Sequence, residues 1–212
     1  MAGVWRFPRS AIFALTLAAN LTTGAAARSA PPVQDPDWPC EARLVPKLTA
    51  AAYWSGPLDS QADWHADPGI AELVRRLAPR RVTTEQGLDA IAGFAKTLSA
   101  DRPHRLALLF LGLLDETDRE RAALIEELKE IGRRQRELAD LVARLGDRLE
   151  AIPPGAIGDD AARRADLQQR YDFTARNFDE IQRTIRYACE TPVQLDARLG
   201  AWARALQKAA SP

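Results

Sequence analysis

From Leu124 onward the apolar residues Leu124, Leu128, Ile131, Leu138, Val142, Leu145, Leu149 and Ile152 return at steps of four and three once Gln135 is counted among them. That spacing predicts a heptad seam along one side of a long helix. Charged residues fill the remaining faces, and pairs one turn apart such as Glu130 with Arg134 and Asp140 with Arg144 read as a solvated surface. Pro153, Pro154, Gly155 and Gly158 break the helix. A second seam follows at Leu167, Tyr171, Thr174, Phe178, Ile181, Ile185 and Ala188, with the same steps. If the chain doubles back at the Pro-Pro-Gly turn, Leu145 faces Leu167, Val142 faces Tyr171 and Ile131 faces Ile181 in one constant register. Residues 117–190 are therefore expected to form an antiparallel helical hairpin, with arms of about 35 residues reaching ~50 Å at 1.5 Å per residue.

Ahead of the hairpin the pattern is that of a small helical core, residues 67–116. Asp67 stands where a cap belongs, Pro68 at the first helical position, and Ile70, Leu73, Val74 and Leu77 on one face, with Pro79 ending the element. A second amphipathic helix is expected from Thr84, apolar at Leu88, Ile91, Phe94, Ala95 and Leu98, and a third from Asp101-Arg102-Pro103. The stretch Leu106 to Leu114 is apolar on every side, which predicts burial all round, under the first two helices and the segment that precedes them. After the hairpin, Thr191 and Pro192 are expected to open a last helix over 191–212, with Val193, Leu195, Leu199, Trp202 and Leu206 returning across the core.

Residues 28–66 differ from all of these. Seven prolines over residues 28–68, of which Pro68 opens the next helix and six lie within 28–66, forbid a long helix in this segment, leaving room for one short helix near Lys47 to Tyr53. Trp38, Trp54 and Trp64 in the same stretch point to an extended segment packed on the helices, because a solvated linker is poor in such side chains. The expected fold is thus all-α: a small helical core, a long antiparallel coiled-coil-like hairpin, and an extended Pro/Trp-rich segment laid over them.

Residues 1–27 place Arg6 and Arg9 before an uncharged stretch from Ala11 to Leu21 and an A-x-A site ahead of Arg28, the layout of a cleaved secretory signal. Its apolar core is shorter than the roughly 20 residues of a membrane span, so a periplasmic or secreted product without a transmembrane span is expected. In that oxidising setting Cys40 and Cys189 read as one disulfide. Closing a loop of about 150 residues contributes roughly 5 kcal/mol in the chain-entropy model. Lys and Arg number 29 against 29 acids, and removal of the signal leaves 27 against 29, so no field favours phosphate backbones and no nucleic-acid partner is expected.

Candidate chemistry adds little. No metalloprotease H-E-x-x-H, nucleophile elbow, phosphate-binding glycine loop or calcium loop occurs, so no catalytic, cofactor or metal residue is assigned. His65 and His104 are isolated, Gly155-Ala156-Ile157-Gly158 reads as a turn, and Asp159-Asp160 suits a helix start. Gln135 and Thr174 interrupt the two seams and can specify register. Gly132 can mark a bend. Trp38, Trp54 and Trp64 serve packing or, alternatively, an aromatic recognition site. The expected role is a non-enzymatic scaffold or interaction protein whose partner is another envelope protein, with self-association between exposed seams left open. The alternative is a small-molecule or lipid binder with a pocket between the tryptophan-rich segment and the Leu106 to Leu114 helix.

Overall fold

The structure is a computed structural model describing residues 35–59, 61–99 and 101–211, so the expected signal at 1–27 and the start of the Pro/Trp-rich segment lie outside the described residues. Among the described residues the fold has five α-helices: α1 (Pro68–Leu77), α2 (Thr84–Thr97), α3 (Arg102–Glu150), α4 (Asp159–Ala188) and α5 (Glu190–Ala210). Two short 3-10 turns, Ala50–Ala52 and Trp64–Ala66, punctuate the segment before α1, the first standing where a short helix was expected. Among the described residues there is no strand, and the class is all-α as the periodicity predicts.

Local chemistry sets the starts of the first two helices. The Asp67 carboxylate accepts from the Gly69 and Ile70 amides at 3.0 and 3.1 Å, with Pro68 next in the chain. Arg105 of α3 grips the same carboxylate from Nε and Nη2 at 2.9 and 3.0 Å, which seats the start of α1 on α3. Thr83 and Gln86 close a reciprocal capping box at the start of α2.

Helix α3 is the spine. Its 49 residues extend ~73 Å at 1.5 Å per residue and pass through residues 116 and 117, where the composition shifts, without interruption. What changes there is the cover. Leu106, Leu109, Phe110 and Leu113 are fully buried in the main core with Ile70, Val74, Ile91, Leu199, Trp202 and Leu206, whereas no residue from 115 to 198 belongs to that core. The apolar run is covered by α1, α5 and the aromatic segment. The expectation that α2 also lies directly over it needs correction: α2 packs chiefly on α5. Gly87 explains the docking, because a Cβ there would overlap the Trp202 ring, and the Trp202 indole N–H donates to the Thr84 carbonyl at 2.9 Å.

Helices α4 and α5 form one bent rod. Cys189 at the joint keeps helical angles, φ −64° and ψ −22°, and the last helix starts at Glu190 rather than at Thr191. Pro192 has no N–H to return to the Ala188 carbonyl, and that missing bond accounts for the bend. The rod runs antiparallel to α3, first as the hairpin arm and then as the core helix.

Every seam position predicted in either arm is buried or half-buried, while the positions between are mostly exposed. Arg164 of α4 donates to the carbonyls of Leu149 and Ile152, closing the hairpin at its turn. The Tyr171 ring passes close to Gly146, one turn tipward of Val142, as expected of a side chain that leans toward the start of its own helix. The Thr174 hydroxyl, buried in the seam, donates to the Arg170 carbonyl at 2.8 Å, so its polarity is satisfied within α4.

Residues 35–59 form a strap along α3, antiparallel to it beyond Asp37. Asp35 pairs with Lys129 at 3.1 Å and Asp37 with Arg133 and Arg136. Further along, the Val45 carbonyl accepts from Arg121, the Leu48 amide donates to Asp118 at 2.6 Å, and Trp54 stacks on Phe110 with ring centroids 4.9 Å apart. Cys40 and Cys189 are bonded, Cα atoms 5.7 Å apart, which ties the strap to the bend between α4 and α5.

Candidate interaction surfaces

Three places carry exposed or polar chemistry beyond what the core requires. The first is a surface cleft of about 810 Å3 beside the cystine, where strap, hairpin base and bend meet. Gln135, Gln182 and Gln194 contribute amides to it, Glu190 and Arg186 opposite charges, and Val193 an exposed apolar side chain. Gln135, the polar interruption of the first seam, reaches this cleft. The lining offers hydrogen-bond donors and acceptors and, among the described residues, holds no nucleophile paired with a base.

The second is a polar junction at the foot of the hairpin that seam-reading missed. Arg121 is only 6% exposed; its Nε donates to the Pro192 carbonyl at 3.4 Å and its Nη2 to the Val45 carbonyl at 3.3 Å, joining α3 to the bend and the strap. Beside it the Tyr53 hydroxyl donates to Asp196 of α5. Burial, and then the Asp196 carboxylate, push the Tyr53 phenol above its ordinary range, so it stays a donor. A signal for Arg121 was available: counting back from Leu124 by three and then four lands on Arg121 and Thr117, both buried. The seam therefore continues toward the core in polar residues.

Arg198 is the other buried cation. Its guanidinium lies 4.7 Å from the Trp202 ring and donates to the carbonyls of Ala78, Pro79 and Val82, satisfying the end of α1 and the turn after it. Desolvation lowers its pKa from the usual arginine value. Its role is architectural.

The predicted aromatics separate. Trp64 is buried against the Gly112 backbone and Val74, Trp54 is half-buried on Phe110, and Trp38 is half-buried with its indole N–H donating to the Ala42 carbonyl at 2.7 Å. They do not converge on one recognition site. Between the strap and the Leu106 to Leu114 stretch Trp54 stacks on Phe110, and at the outer edge lies a hollow of about 600 Å3, lined by Trp54, Pro57, Pro103, His104 and Gln207. His65 stacks on Trp64 with its Nδ1 3.0 Å from Asp63. Among the described residues no group of three or more His, Cys, Asp or Glu side chains is placed to hold a metal ion.

The third place is the hairpin tip. Residues 151–158, Ala-Ile-Pro-Pro-Gly-Ala-Ile-Gly, carry no charge between two highly charged arms, and Ile157 is 88% exposed. Phe173 and Leu141 on the arms are also exposed.

No family model, curated protein or solved structure matches this chain. The functional reading therefore rests on its own geometry: an all-α protein with an intramolecular cystine, in which no helix among the described residues is long and apolar enough to cross a membrane.

Proposed function

We propose that this protein is an exported, non-enzymatic scaffold, held in the periplasm of a Gram-negative cell, that presents the outer part of its hairpin to another protein of the envelope. The observation that carries the reading is the independence of that outer part. Beyond Arg136 in α3, and back to Thr184 in α4, every described hydrogen bond and ion pair of the arms stays within the hairpin. None of those residues belongs to the main core. The main core draws no side chain from residues 115–198, so the extra helix is best explained as a surface held out at a distance. The cystine supports export, because such a bridge persists in an oxidising compartment.

The test excises the outer hairpin together with its tip, residues 138–173, joining Glu137 to Thr174 by a short Gly-Asn turn, and compares partner recovery by the tagged mature protein with and without it. Loss of the partner with the core still folded supports the reading. Equal recovery removes the hairpin from the account.

A further inference from the structure

We propose that the tip loop, residues 151–158, is the docking element of the hairpin, taken up through Ile157 by a partner protein whose apolar pocket has a basic rim; the assignment rests on the scaffold reading above. Ile157 is the most exposed of the large hydrophobic side chains described, and it stands at the far end of the molecule's longest helix. The loop is built to hold it outward. Arg164 latches the end of α3 through the Leu149 carbonyl at 2.7 Å and the Ile152 carbonyl, and the Ala156 amide closes a turn on the Pro153 carbonyl at 3.1 Å. Pro153 and Pro154 restrict the chain further, and Gly158, at φ +63°, takes the left-handed conformation that redirects it into α4. Ile152 and Ala156 are half-buried in the loop, which leaves Ile157 as its large exposed side chain, beside the exposed rings of Pro153 and Pro154. A rigid loop with one projecting isoleucine loses little freedom when a pocket closes on it.

The charges around the tip select the partner. Asp147, Glu150, Asp159 and Asp160 are exposed beside it, against Arg148, Arg163 and Arg164. Arg164 is turned onto backbone carbonyls and Arg163 is paired with Asp160 at 3.4 Å. Among the described residues no hydrogen bond or ion pair engages the side chains of Asp147, Glu150, Asp159 or Arg148, and the four acids against three arginines leave the collar weakly acidic, at a formal −1. An anionic bilayer repels that collar, and so does the tip of a second copy. A pocket rimmed by lysine or arginine complements it.

A photoreactive amino acid at position 157 of the full chain, with position 144 as control, identifies the neighbour in the native host. That protein is then purified and its affinity measured for wild type, Ile157→Val, Ile157→Asp and the charge reversal Asp159→Lys/Asp160→Lys. The expected result is an adduct from 157, retention by the valine variant, and a loss of more than about tenfold for Ile157→Asp at unchanged melting temperature, the scale of an interface hot spot. The charge reversal weakens binding as well. Four outcomes overturn the assignment: no protein adduct from 157, an affinity indifferent to Ile157→Asp, Ile157-dependent binding to phosphatidylethanolamine/phosphatidylglycerol vesicles, or Ile157-dependent self-association. If excision of residues 138–173 abolishes partner recovery while Ile157→Asp does not, the scaffold reading stands and the tip assignment alone falls.

Discussion

The main-chain oxygen of Asp37 occupies the space where the side chain of any residue but glycine at position 132 would begin. The strap thus rests on bare backbone of α3, flanked by the Arg133 and Arg136 guanidinium groups that hold the Asp37 carboxylate. Helix propensity alone favours alanine over glycine here by about 1 kcal/mol. The close approach reverses that preference. Gly132→Ala is expected to lower the unfolding midpoint and to raise amide exchange in residues 35–45, with the circular dichroism of the helices unchanged. A stabilised variant would mean that the strap does not lie on the helix.

The cystine joins strap and bend across 149 positions of sequence. Removing such a bridge typically costs about 2–5 kcal/mol. Cys40→Ala/Cys189→Ala, and wild type in reductant, are each expected to show a loss in that range in urea unfolding, the two treatments agreeing with one another.

Acid should release the strap. The Asp37 backbone amide, and then Lys129, hold the Asp35 carboxyl below its ordinary value, while Arg133 and Arg136 do the same for Asp37. A carboxyl depressed by folding contributes stability that is fully present above its unfolded pKa of about 3.9 and is lost as pH falls through the lower, folded value. Protection of residues 35–45 from amide exchange should therefore hold at neutral pH and fade below roughly pH 4. The double substitution Asp35→Asn/Asp37→Asn should show the unprotected pattern already at neutral pH.

The hairpin and the first two helices were legible because their determinants are local: a seam of fours and threes, a Pro-Pro-Gly break, Asp67 before Pro68, and an apolar face at Leu88, Ile91 and Ala95 after Thr84. The unbroken passage of α3 through residue 116 was hidden because the change from all-round apolar to seamed reports what covers a helix, not where it stops. Gly132 suggested a bend for the same reason, since its partner, Asp37, is remote in sequence. Neither Arg198 nor Arg121 stands out from the seams or the apolar faces of the sequence. One satisfies carbonyls at the end of α1 and the other the strap and bend carbonyls, contacts that no local spacing announces. For Arg198 the clue was a cation set between Leu195, Leu199 and Trp202 on an otherwise apolar face.

Trp202 is fully buried, hydrogen-bonded to Thr84 and seated over Gly87. Trp202→Ala is expected to cost about 3–5 kcal/mol in denaturant unfolding. Trp38→Ala, which truncates a half-buried ring outside the main core, should cost under about 1 kcal/mol, near the value of a single neutral hydrogen bond. Comparable losses at the two sites would contradict the placement of the core.

Spin labels at Ala139→Cys and Arg176→Cys, both exposed on facing arms, test the doubling-back on which the surfaces and their roles depend. The native cystine leaves those two thiols alone to react. With helix axes about 10 Å apart, pulsed dipolar spectroscopy should return one short distance that persists when labelled protein is diluted into unlabelled protein. A separation approaching the ~50 Å of a full arm, or a short distance that disappears on dilution, would contradict the hairpin.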